Sequence, residues 1–237
     1  MTADQTINTH RNARKGQAMT VVRRKSMVSA ALLAIIVSGA ARAEDKSAPE
    51  VPAVPAQELQ AKLQYCKTCH GSNGQGYSGA SPIPRLAGQQ LEYIENQLVA
   101  FTEKRRENIF MFNVAHVLTP AMRAAVAKHF HDLNPGPTAS AQKDLAPAGK
   151  KIFEEGVPDK DVPPCASCHG DDAKGNGVFP RLAGQSAAYI QRTLANWDKV
   201  RGKDPANPDN SAIMQPVIHG LTQQQVAAVA AYLDNLE

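Results

Sequence analysis

Cys66-Lys67-Thr68-Cys69-His70-Gly71 returns 99 positions later as Cys165-Ala166-Ser167-Cys168-His169-Gly170. Around this pair the rest of the chain falls into register. Pro84-Arg85-Leu86-Ala87-Gly88-Gln89 recurs letter for letter as Pro180-Arg181-Leu182-Ala183-Gly184-Gln185. Tyr93-Ile94 matches Tyr189-Ile190. Met111, Val114, His116, Leu118 and Thr119 match Met214, Val217, His219, Leu221 and Thr222. The successive offsets are 99, 96 and 103, so the copies differ by loop insertions alone. The chain is a tandem repeat of one unit.

Cys-x-x-Cys-His is the attachment signal of a c-type haem. Residues at i, i+3 and i+4 share one face of a helical turn. Two thiols so placed reach the two vinyl groups on one haem edge, and the adjoining histidine reaches the iron. Three other uses of Cys66, Cys69, Cys165 and Cys168 compete: disulfides, a redox pair and a zinc site. None of them explains a histidine directly after both pairs. Two covalent haems c are the expectation, and they use all four cysteines.

A second axial ligand must approach from the opposite haem face. Met111 lies 41 residues after His70, and Met214 lies 45 after His169. A thioether is soft and neutral, and Met/His ligation raises the reduction potential. His116 and His219, five residues beyond each methionine, are the competing pair. His129 and His131 have no histidine counterparts and read as solvated. The Pro-Arg-Leu block suits a loop over the proximal histidine. The carbonyl of Pro84 or Pro180 can accept the imidazole Nδ1–H, and Leu86 and Leu182 can pack on the haem. A plain turn before a helix is the alternative.

The copies read as helical. Ile94, Leu98 and Phe101 fall at i, i+4 and i+7, and Ile190, Leu194 and Trp197 repeat the spacing. Thr119-Pro120 is an N-cap with proline at N1, and Thr222 with Gln225 forms a capping box. The helices they open carry Met122, Val126, Phe130 and Leu133, and Val226, Val229, Leu233 and Leu236. With no alternating strand pattern, the fold class is all-α. Aromatic residues make up only 5% of the 237, thin for two small cores unless a large apolar cofactor fills each.

Composition sets the compartment. Residues 1–43 hold seven Lys/Arg and one Asp, while the remainder holds 19 Lys/Arg and 21 Asp/Glu. The formal charge of +4 therefore belongs to the leader. The rest is weakly acidic, with no basic stripe for nucleic acid. Arg23-Arg24-Lys25, the apolar run Met27 to Ala40 and Ala41-Arg42-Ala43 read as a signal peptide cleaved after Ala43. An uncleaved anchor is the alternative, and translation from Met19 or Met27 is open. The expected organisation is a signal peptide over 1–43, a flexible N-terminus over 44–55 and a first cytochrome c domain over 56–133. A Pro/Gly/Ser-rich linker follows over 134–147, then a second domain over 148–237.

Residues 56–237 resemble the cytochrome c4 family of dihaem class I c-type cytochromes. The paired haem motifs, the paired Pro-x-Leu-Ala-Gly-Gln blocks, the Met-then-Leu-Thr ends and Gly149-Lys150-Lys151-Ile152-Phe153 carry the resemblance. It implies two tandem class I cytochrome c domains about a pseudo-twofold axis, with His70/Met111 and His169/Met214 as axial pairs. It also implies periplasmic electron delivery, commonly toward a terminal oxidase, and matches Pro84 and Pro180 to the proximal-histidine proline. Two features depart from the pattern: His129 stands where the second copy has Tyr232, and Glu103-Lys104-Arg105-Arg106-Glu107 is unusually charged. That cluster reads as a solvated helix face, or as a docking surface for an acidic partner.

The expected role is a periplasmic electron carrier, not an enzyme, because filled axial positions leave no site for oxygen or peroxide. A dihaem peroxidase would need a five-coordinate haem. The expected partners are redox proteins, a quinol-oxidising complex on one side and a terminal oxidase on the other. The chain is expected to be a monomer, open to peripheral membrane association. The alternative is a haem electron-acceptor subunit of a periplasmic dehydrogenase.

Overall fold

A computed structural model describes residues 54–136, 143–201 and 210–237. The signal-peptide reading, most of the N-terminal stretch and the centre of the linker lie outside these residues. The described chain is helical, and its only β-pairing is isolated bridges. No single described helix is long and apolar enough to cross a membrane.

The first half contains four helices. Helix α1 (Ala56–His70) runs straight through the first haem motif and ends at Gly71, whose φ of 85° turns the chain away directly after His70. Helix α2 (Leu91–Thr102) buries Ile94, Leu98 and Phe101, the face its spacing predicts. Helix α3 (Ile109–Ala115) is capped by Asn108, whose side chain accepts from the Met111 amide at 3.0 Å. Helix α4 (Pro120–His131) opens on Thr119, which accepts from the Met122 amide at 3.1 Å, with Pro120 at N1. Leu63, Leu98, Phe101, Met122, Val126 and Phe130 form one core. Val54, next to the end of the stretch expected to be flexible, packs against this core.

The second half splits what α1 does in one piece. Helix α5 (Ala146–Glu155) ends at Gly156, a bridged turn joins Val157 to Val162, and α6 (Ala166–His169) is a separate turn carrying the second motif. This inserted turn lies just ahead of the second motif. Helix α7 (Ala187–Ala195) is followed by α8 (Trp197–Val200), then α9 (Ser211–His219) and α10 (Gln223–Asp234). Phe153, Ile190, Val229 and Leu233 join alanines 173, 183, 187 and 230 in a second core.

Helices α5 and α10 cross where Gly149 has no side chain; a Cβ there would sit 2.0 Å from the Ala228 carbonyl oxygen. Gly149→Val is therefore expected to force the helices apart, at a cost of about 1–3 kcal/mol in urea unfolding. The capping box at Thr222 and Gln225 is present, with bonds of 3.2 and 2.8 Å. Thr222→Ala is expected to cost about 1 kcal/mol by the same measurement.

Three local expectations are corrected. Trp197 does not continue the α7 face. The helix stops at Asn196, whose side chain turns back to donate to the Arg192 carbonyl, and Trp197 instead donates to the Ser211 carbonyl at 3.3 Å. Residues 103–107 are not helical: α2 ends at Thr102, Lys104 takes a φ of 58°, and Arg106 bridges to Arg201. His129 is not simply solvated. His129 is half-buried, edge-on to Phe130, whereas His131 is exposed as expected, with its Nδ1 bonding the Gln89 carbonyl at 2.8 Å.

Candidate haem sites

Each haem motif presents a half-buried thiol, an exposed thiol and a buried imidazole at positions i, i+3 and i+4 of one helical turn. Cys66 and Cys165 are the half-buried thiols, and they pack against the first and second cores. Burial pushes both thiols up, Cys165 to about 11, which disfavours the thiolate form. Cys69 and Cys168 are exposed, and no disulfide joins any two of the four cysteines. Among the described residues no three His, Cys, Asp or Glu side chains gather to hold a metal ion. Among those residues the zinc reading finds no further ligands.

His70 and His169 are 7% and 8% exposed. In both, Nδ1 lies 2.9 Å from a proline carbonyl, that of Pro84 for His70 and that of Pro180 for His169. A carbonyl can only accept, so Nδ1 carries the proton and Nε2 keeps its lone pair. Burial holds both imidazoles below the usual histidine range, in the neutral form that ligates iron. Leu86 and Leu182 stand beside these prolines, half-buried against the first and second cores.

Met111 packs against the first core from α3, held at its backbone by the Asn108 cap. Met214 is half-buried on α9. The competing histidines are exposed and engaged elsewhere. His116 bonds the Phe112 carbonyl at 3.0 Å and stacks on that ring, and the His219 Nε2 lies 2.8 Å from Asp198 Oδ2.

Part of the charged stretch before Met111 meets the other half of the molecule: Arg106 does so through its side chain, and the Glu107 amide donates to the Val200 carbonyl at 2.7 Å. Arg105 pairs with Glu103 at 2.6 Å. Arg106 lies over the Phe101 ring and donates to Gln97 at 2.7 Å and to the Tyr189 hydroxyl at 2.8 Å. Of the three basic residues read as a docking surface, only Lys104 is exposed.

The repeated block has a role that its proline and leucine alone do not suggest. Arg85 N–H donates to Gln185 Oε1 at 2.9 Å, and Gln185 Nε2 donates back to the Arg85 carbonyl at 3.1 Å. Arg181 and Gln89 make the mirror pair at 2.7 and 3.0 Å. All four residues are buried. Each glutamine amide acts as a short strand partner for the other half's backbone. The letter-for-letter identity of the two blocks was the signal, because a self-complementary clasp needs the same residues on both sides.

The residues thus fit a covalent haem twice over: two thiols on one helical face, a neutral imidazole with one free nitrogen, and an apolar wall. The family model for cytochrome c matches residues 146–237. Cytochrome c-552 of Acidithiobacillus ferridurans is 37% identical over 180 residues, covering 72% of this chain and 73% of that protein. Cytochrome c4 of Thiocapsa roseopersicina is 36% identical over 195 residues, 80% of this chain and 96% of that one. The thiosulfate dehydrogenase electron acceptor of Thiomonas intermedia is 36% identical over 172 residues, 71% and 76% of the two chains. Among solved structures, reduced cytochrome c4 from Pseudomonas stutzeri superposes with a TM-score of 0.66 at 28% identity, over 78% of this chain and all of that one. A thiosulfate dehydrogenase from Marichromatium purpuratum gives 0.62 at 31%, over 73% of this chain and 36% of that one. Two tandem class I cytochrome folds, each with its own attachment motif, make this chain a member of the cytochrome c4 family, an electron carrier with two covalently bound haems c.

Proposed function

We propose that His70 with Met111, and His169 with Met214, are the axial pairs of two six-coordinate haems. When bound, each haem supplies a one-electron iron couple. Cys66 and Cys69 would tether the first, Cys165 and Cys168 the second. Pro84 and Pro180 would fix the two imidazole rings, and Leu86 and Leu182 would wall the pockets. The observation that carries this reading is the pair of 2.9 Å bonds from Nδ1 to a proline carbonyl, which leave Nε2 as the coordinating atom in both halves. The haem-bearing units are assigned to 56–133 and 148–237, joined by 134–147. With both axial positions filled, the protein exchanges electrons and does not turn over peroxide. Its compartment is the periplasm, reached through a signal peptide over 1–43. Its partners are a quinol-oxidising donor and a terminal oxidase.

The oxidised protein is expected to show a methionine-to-ferric-iron charge-transfer band of two-haem intensity. Met111→Ala and Met214→Ala should each remove half of it. Full intensity in either variant would reject that residue as a ligand.

The likeness to thiosulfate dehydrogenase electron acceptors supports a second reading, a haem acceptor for a periplasmic dehydrogenase. Stopped-flow reduction by a thiosulfate dehydrogenase with thiosulfate, set against reduction by a quinol-oxidising complex, separates the two. The faster donor at equal concentration identifies the role.

A further inference from the structure

The carbonyl that holds His70 and the N–H that Gln185 grips belong to one peptide group. Pro84 supplies the C=O at 2.9 Å from His70 Nδ1, and Arg85 supplies the N–H at 2.9 Å from Gln185 Oε1. The mirror peptide, Pro180-Arg181, takes His169 Nδ1 at 2.9 Å and gives its N–H to Gln89 Oε1 at 2.7 Å. Each proximal histidine is thus joined, through a single amide, to a glutamine from the opposite half.

The amide orientations are determined by their partners. Gln185 Oε1 also accepts from the Ser186 amide at 3.2 Å, and Gln89 Oε1 from the Gln90 amide at 2.9 Å. Each Nε2 faces a carbonyl. Rotating either side chain by 180° would set donor against donor. Both glutamines are buried, at 5% and 6% exposure, where hydrogen bonds in series polarise one another. An engaged N–H makes its own amide carbonyl a better acceptor. A better acceptor draws the Nδ1 proton further and gives the imidazole more anionic character, which favours ferric iron.

We infer that Gln185 lowers the reduction potential of the first haem, and Gln89 that of the second, each acting across the seam as a positioning residue. The inference rests on the histidine ligation proposed above. It adds a crossed dependence: each haem is tuned by the half that does not bind it. The same path connects the two proximal histidines. From Gln185 it runs back along five residues to Pro180, whose carbonyl holds His169.

The test is redox titration of the haem-loaded full-length protein, with the two haems distinguished by their haem-methyl NMR resonances. Gln185→Leu is expected to shift the first haem's ferric/ferrous ratio at fixed potential about threefold toward ferrous, a rise of about 30 mV, and to leave the second near its original value. Gln89→Leu should do the reverse. Gln185→Glu loses the Nε2–H bond to the Arg85 carbonyl but keeps the acceptor oxygen and, in its ionised form, strengthens it, so the first haem should shift toward ferric; this arm decides the matter if the leucine variant fails to fold. A shift confined to the haem of the mutated half, or equal in both haems, would overturn the inference, since general loosening produces those patterns. So would a rise with glutamate. The charge-transfer band is recorded for every sample. Its absence from the parent protein rejects the ligation reading, whereas its presence without crossed shifts rejects only the inference.

Discussion

Changing Cys165 and Cys168 together to alanine is expected to unfold the second half, while the same change at Cys66 and Cys69 leaves much of the first half helical. The difference lies in what each core has apart from its haem. The first buries Leu63, Ile94, Leu98, Phe101, Leu118, Met122, Val126 and Phe130. Among the described residues, half of the second core's eight buried side chains are alanines. An alanine removes little apolar surface from water, whereas each large aliphatic or aromatic side chain contributes about 1.5–3 kcal/mol. Losing the haem would expose the apolar wall proposed at Leu182. Net stability of a domain is only about 5–15 kcal/mol, so a loss of that order removes the fold. Far-UV circular dichroism and urea titration of the two double variants measure this. Equal loss of helix in both would show that core composition does not decide haem dependence.

Arg85→Ala is expected to be the most damaging single change outside the haem ligands. The side chain is 4% exposed. Its guanidinium donates to three backbone carbonyls, those of Ala87, Pro135 and Gly136. It therefore ties the repeated block to the start of the linker. Alanine would leave three carbonyls without their donor, and hydrogen bonds from a charged group are worth about 1.5–3 kcal/mol each. A total loss of about 3–5 kcal/mol in urea unfolding follows, allowing for partial access of water to the linker. Arg85→Lys should recover a minority of it, because an ammonium cannot reproduce the planar fork. A loss below about 1 kcal/mol for alanine would mean that the linker carbonyls are satisfied without Arg85.

Much of the site was legible because its chemistry is local. Cys-x-x-Cys-His is set by the geometry of one helical turn, and the caps at Thr119 and Thr222 by four residues each. The proline carbonyls could be offered to the histidines because proline keeps its acceptor, and the resemblance to cytochrome c4 matched the two prolines to that place. What escaped was long-range. Arg85 and Gln185 are a hundred residues apart, and within one copy each reads as an ordinary polar residue beside a turn. The run 103–107 has helical composition, but Arg106 gains more from Gln97, Tyr189 and the Phe101 face than from another helical turn. Trp197 keeps the predicted i+7 spacing, yet the break at Asn196 sends it to Ser211 instead. In each case a partner distant in sequence prevailed over a periodicity that is correct up to that point.

The glutamine clasp also bears on how such a molecule arises. Gln89 with Arg181 and Gln185 with Arg85 are the same bond drawn twice about a twofold axis, the pattern that two identical subunits make when they meet face to face. A single-unit ancestor carrying Pro-Arg-Leu-Ala-Gly-Gln would already hold both sides of this contact. Tandem duplication of its gene would then convert a homodimer into one chain without a new interface having to be invented, and from that point each copy constrains the drift of the other.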